Sequence, residues 1–145
     1  MSLMNIRMER QNQAFHFQAT NETGAHLQLD GSAGIGGENK GFSPMQSLLA
    51  AIGACSAIDI GLILQKQKQV IEDFAMDIQG ERTPVADANI FTAIHIQYGF
   101  TGDLDAKKVR RAIDLSLEKY CSVAKMLEKT ASITYSFTVN EEIFE

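Results

Sequence analysis

Two cysteines, Cys55 and Cys121, are the residues of this chain best suited to covalent chemistry. A thiolate is a strong nucleophile and can be oxidised reversibly. Cys55 lies on the stripe Leu48, Ile52, Cys55, Asp59, stepped by four, three and four, so a helix puts Asp59 one turn beyond Cys55 on the same face. A cysteine in the middle of an apolar helix reads either as a small buried hydrophobe or as a nucleophile. The second role needs a cation or a helix N-terminus nearby, and an ionised Asp59 works against it. Cys121 sits in Glu118-Lys119-Tyr120-Cys121-Ser122-Val123. A helix break at Tyr120 would place it at the start of a second segment, where free amides favour a thiolate. Core packing is the other reading, and the separation of the two cysteines along the chain does not by itself predict a disulfide.

Other chemistries find less support. His16, His26 and His95 all fall on the polar phase of strand-like patterns. With no His-x-x-x-His or Cys-x-x-Cys spacing, neither a metal nor a cofactor is expected. No elbow motif backs a Ser-His-Asp triad. The glycine-rich run from Asp30 to Gly41 is not followed by Gly-Lys-Ser/Thr, so it reads as a mobile connector rather than a phosphate loop. The net charge of −5 argues against a nucleic-acid partner, and Lys107, Lys108, Arg110 and Arg111 read as a solvated helix face. The start of the chain has no apolar signal region. Met1-Ser2-Leu3 ahead of Met4 reads as an expression remnant. Two cysteines in that context fit a reducing cytoplasm.

These residues must be positioned by surrounding elements. Alternation around Phe15 and Phe17, and again around Leu27 and Leu29, predicts two strands joined by a turn at Asn21-Glu22-Thr23-Gly24; Ile6 and Met8 suggest an earlier strand. Ser43, Pro44 and Gln46 form a helix start with the spacing of a capping box. The following run is apolar on every side from Leu48 to Ile58, with helix expected to about Gln67. It is at the lower limit of length for a membrane span and contains Asp59, so a soluble core helix is the preferred reading. Two strands follow, around Phe74–Ile78 and Ile90–Phe100. Asp105 then caps an amphipathic helix with Val109, Ile113, Leu117 and Tyr120 inward, continuing through Ala124 and Leu127. A last strand turns Ile133, Tyr135, Phe137 and Val139 to one face. The expected fold is one α+β domain spanning 1–145, mainly antiparallel, in the order β-β-β-α-β-β-α-β. A helix apolar all round needs cover on all sides, which predicts a homodimer with Gly53 and Gly61 allowing close approach.

The segment Ser43-Pro44-Met45-Gln46-Ser47-Leu48-Leu49-Ala50-Ala51-Ile52-Gly53-Ala54-Cys55-Ser56-Ala57-Ile58-Asp59 resembles the central-helix signature of the OsmC/Ohr family. Glu118-Lys119-Tyr120-Cys121-Ser122-Val123 resembles the segment around its second cysteine. The likeness is to the OsmC-like branch rather than to the organic hydroperoxide reductases proper. It implies an OsmC-like fold, an intertwined homodimer and two sites at the subunit interface. It further implies a peroxidatic Cys55, a resolving Cys121, an organic hydroperoxide as substrate and a dithiol reductant. The family's peroxidases carry a glutamate just after the motif proline and an arginine from the N-terminal region. Here Met45 and Gln46 follow Pro44, and Arg7 and Arg10 are the N-terminal arginines. Gln46 and Asp59 are therefore the candidate supporting residues. The rival reading is a binding module in which the cysteines line a pocket for a small hydrophobic or electrophilic ligand.

Overall fold

A computed structural model of the chain describes residues 2–145. Met1, the first residue of the suspected expression remnant, lies outside them. The chain divides into two compact units, Met1–Leu48 and Leu49–Glu145.

In the first unit, β1 (Arg7–Arg10), β2 (Phe17–Thr20) and β3 (His26–Leu29) form an antiparallel sheet. The β2–β3 turn is built as its sequence suggests. Asn21 Oδ1 accepts the N–H groups of Thr23 and Ala25, and Gly24 takes φ +88°. The glycine-rich segment departs from the mobile connector expected of it. Asp30 is buried, and its carboxylate accepts backbone N–H groups from Gly31, Glu38 and Lys40, folding the loop around one side chain. Burial opposes ionisation of Asp30, but the three amides outweigh it and hold its pKa below the ordinary value. That contribution to stability is complete above the unfolded carboxyl's pKa and is lost as pH falls through the lower folded value. Asp30→Asn should accordingly flatten the acid limb of a stability–pH profile. An unchanged acid midpoint would show that Asp30 does not organise the loop.

The helix α1 (Pro44–Lys66) begins with the anticipated reciprocal cap. Gln46 Oε1 accepts Ser43 N–H at 2.9 Å, and Gln46 N–H donates to Ser43 Oγ at 3.3 Å. In the second unit, β4 (Val70–Val85), β5 (Ala88–Asp103), β6 (Ser132–Val139) and β7 (Glu142–Phe144) form a sheet in that order. The short β7 was not foreseen. β4 and β5 are an antiparallel hairpin of two 16-residue strands. β5 and β6 pair in parallel, because the helical crossover between them carries the chain back to the end of the sheet at which β5 began. The fold is thus α+β with a mainly antiparallel sheet, as expected.

One face of this sheet carries Met76, Ile78, Ile94, Ile96, Tyr98, Phe100 and Phe137, and α1 packs on it. A bulge opposite Glu81 and Arg82 changes the phase of β5, so Phe91 is buried as well, against the simple alternation. Gly53 is explained by the sheet. A Cβ there would lie 2.4 Å from Ile78 Cδ1, so the glycine serves packing within the chain rather than approach of a partner. Gly61 meets nothing within 4 Å. The helix buries Ile52, Gly53, Ser56, Ile60 and Leu64, while Ile58 and Leu62 on the opposite side, and Leu48 near its start, are exposed.

The second helical region is broken. α2 (Ala106–Leu115) is capped by Asp105, whose side chain accepts Lys107 N–H. A π-turn follows at Ser116–Tyr120, closed by Cys121 N–H donating to Ser116 O at 2.7 Å, and then α3 (Ser122–Leu127). Val109, Ile113 and Leu117 are buried as their spacing predicts, but Tyr120 is 52% exposed. The π-turn shifts the helical phase just before it, which corrects the inward placement of Tyr120.

Candidate functional site

The crossover from β5 to β6 brings Cys121 to the face of α1 that carries Cys55. One ligand-capable atom each from Cys55, Asp59 and Cys121 lie within 4.8 Å of one another. Both cysteines are free thiols; Cys55 is half-buried and Cys121 fully buried. Asp59 stands where the helical spacing put it, one turn after Cys55. The break at Tyr120 is present, and Cys121 occupies the N-cap of α3, its sulfur accepting Ala124 N–H at 3.4 Å. Gln46 is on the first turn of α1 with its carboxamide oxygen engaged by Ser43. Arg10 donates to the carbonyls of Ala14 and Gln13, and Arg7 pairs with Glu9, both within the first unit.

Three residues not singled out from the sequence fix this geometry. Tyr98 OH donates to Ser56 Oγ at 2.8 Å, and Ser56 Oγ donates to Gly53 O at 3.1 Å, with Tyr98 and Ser56 both fully buried. Ser116 Oγ reaches Asp59 Oδ2 at 3.1 Å and Ser56 O at 3.4 Å. It ties the end of α2 to the turn of α1 that bears Cys55. A signal for each was legible in part. Ser56 and Ser116 are polar residues on otherwise apolar helix faces, and Tyr98 is the one polar tip on the inward phase of β5. Tyr98→Phe should cost about 1 kcal/mol in urea unfolding, the net value of one buried hydrogen bond. No loss would mean that the Tyr98–Ser56 contact carries no stability.

A cleft of about 510 Å³ meets the cysteine cluster at Asp59 and is further lined by Leu62, Ile63, Lys66, Leu115 and Tyr120. Gln67 also borders it, its buried Oε1 without a partner among the described residues. The walls are mainly apolar, with one lysine and one carboxylate. No histidine belongs to the cysteine cluster.

The family model for OsmC-like proteins matches residues 37–136. The chain belongs to the OsmC-like family. It is 44% identical over 124 residues to Protein YhfA of Escherichia coli K12, covering 85% of this chain and 89% of that protein. A solved structure of a hypothetical protein from Aquifex aeolicus is 30% identical, with TM-score 0.78 over 96% of this chain and 98% of that one. The organic hydroperoxide resistance protein OsmC from Legionella pneumophila is 18% identical. It aligns with TM-score 0.72 over 96% of this chain and 98% of its own, a likeness of fold alone.

Within this OsmC-like site the two thiols are in unequal surroundings. Burial pushes the Cys121 thiol up to about 11; the Ala124 amide opposes this, while Cys55 and Asp59 add to it. Iodoacetamide at neutral pH should therefore label Cys55 well before Cys121, with Cys121 labelling rising as pH approaches 11. Peptide mass mapping reads the order directly. Faster labelling of Cys121 would show that its burial is not maintained in solution. The sign for stability follows from the same shift. The folded state holds the Cys121 proton longer than the unfolded chain does, so this contribution declines as pH rises from about 9 to 11.

Proposed function

We propose that this protein is a thiol-dependent peroxidase that reduces organic hydroperoxides through a Cys55–Cys121 couple. The observation that carries the reading is the placement of two free thiols from separate helices within 4.8 Å of one another. In the proposed cycle the Cys55 thiolate attacks the outer peroxide oxygen. The O–O bond breaks, an alcohol leaves with a proton, and Cys55 becomes a sulfenic acid. The Cys121 sulfur then displaces hydroxide from the sulfenic sulfur, giving a disulfide and water. A dithiol reductant supplies two electrons and two protons to restore both thiols. The mainly apolar cleft suits a hydroperoxide with a hydrocarbon body. Gln46 and Asp59 are the proposed supporting residues, and no cofactor enters the cycle.

The whole chain is taken as a single OsmC-like domain acting as a homodimer. Exposed Leu48, Ile58 and Leu62 on α1 support a partner, as does the distal part of the β4–β5 hairpin, exposed on both faces from Gly80 to Asn89. Free thiols suit a reducing cytoplasm. No membrane or nucleic-acid partner enters the reading.

The test is stoichiometric. Reduced protein exposed to an organic hydroperoxide should lose both thiols together, with a mass decrease of two hydrogens, and react more slowly with hydrogen peroxide. Thiols that survive would remove the peroxidase reading. A second reading, a non-catalytic module binding a small hydrophobic or electrophilic ligand, is favoured by one observation: the charged group beside the thiols is a carboxylate. Copurification of an apolar compound with unreacted thiols is its expected signature.

A further inference from the structure

We infer that the reduced site binds a thiophilic divalent cation, zinc in the first instance, through Cys55, Asp59 and Cys121. Spacing along the sequence gave no hint of this, because the ligands come from one helix and from a crossover segment far along the chain. The structure assembles them. Each offers one ligand atom, and all three atoms lie within 4.8 Å of one another. Two bonds of about 2.3 Å at a tetrahedral zinc place sulfurs about 3.8 Å apart, so the site needs only a modest closure. Half-buried Cys55 has room to make that adjustment, whereas fully buried Cys121 is fixed at the α3 N-cap.

The donor set suits the ion. Two thiolates and one carboxylate match zinc better than magnesium or calcium, which take all-oxygen shells. The surroundings are arranged as a ligand's outer shell would be. Ser116 Oγ holds Asp59 Oδ2 at 3.1 Å, and Ala124 N–H points at the Cys121 sulfur. With both cysteines ionised, two thiolates and a carboxylate would stand within 4.8 Å of one another, a concentration of negative charge that a bound cation offsets directly, with Lys66 lining the adjoining cleft. Binding releases the two thiol protons and leaves a fourth position for water, with Asp59 bordering the cleft. Both sulfurs are consumed as ligands. The metal therefore protects them from oxidation, and disulfide formation expels it.

The inference does not rest on peroxide turnover, and the experiment keeps the two apart. Anaerobic titration of reduced, metal-free protein with Co²⁺ should give one ion per chain and a near-ultraviolet sulfur-to-cobalt charge-transfer band that Zn²⁺ abolishes. Cys55→Ser and Cys121→Ser should each weaken binding by roughly 100-fold or more, and the near-isosteric Asp59→Asn by about 10–100-fold. Absence of the charge-transfer band overturns the proposal, and so does equal affinity in all three variants. Peroxide-driven thiol loss is followed separately on the metal-free protein, so failure of either reading leaves the other measurable.

Discussion

Cys55→Ser is expected to reduce organic hydroperoxide consumption to the buffer background, a loss on the order of 10³-fold or more, as when a catalytic nucleophile is removed. A serine hydroxyl is not ionised near neutrality and cannot be oxidised to a sulfenic acid, so both halves of the cycle stop. The unequal surroundings of the thiols make the companion variant informative. Cys121 is fully buried and its thiol pushed up to about 11, so it is poorly suited to the first attack. Its place within reach of Cys55 suits it to the second step. Cys121→Ser should therefore permit one oxidation per chain and then stall, with a sulfenic acid that dimedone captures at Cys55. The measurement is peroxide consumed per chain together with the mapped adduct. Sustained turnover in Cys55→Ser would remove the peroxidatic assignment, and turnover through Cys121 alone would invert the roles.

What could be read from the sequence, and what could not, divides by the range of the interaction responsible. Local rules worked. The Ser43–Gln46 capping box, the Asp105 cap and the Asn21–Gly24 turn are each set within a few residues, and each is present. The stripe carrying Cys55 and Asp59 follows from helical geometry alone. Long-range effects were hidden. No glycine or proline marks the π-turn at Ser116–Tyr120, yet it breaks the helix, exposes Tyr120 and makes Cys121 an N-cap. The bulge that buries Phe91 depends on the register of β4 against β5. Asp30 looks like one more polar residue in a glycine-rich loop until the amides of Glu38 and Lys40, from the far side of the loop, join that of Gly31 on its carboxylate. The metal-capable cluster is the strongest case. Its ligands join only when β5 and β6 pair in parallel, and no local spacing rule reports that.

The largest structural prediction concerns the uncovered side of α1. Ile58 is 64% exposed and Leu62 53% exposed, one turn apart on a 23-residue apolar helix whose other side packs on the sheet. Buried against a second copy, each such side chain contributes about 1.5–3 kcal/mol. In a twofold interface every substitution is made twice. Ile58→Glu should therefore cost about 3–6 kcal/mol of association, raising the dimer dissociation constant by roughly 10²–10⁴. Sedimentation velocity over a concentration series should show the parent chain at twice the monomer mass and the variant as monomer at micromolar concentration. The far-UV spectrum should be retained, because Ile58 makes no part of the chain's own core. A parent that sediments as a monomer, or a variant that stays dimeric, would show that α1 is not the interface. If the site is completed by the partner subunit, the monomeric variant should also lose hydroperoxide reduction while keeping both thiols. Retained activity in a demonstrated monomer would place all the necessary groups within one chain and would make Asp59, rather than a residue from the second copy, the charge that governs Cys55.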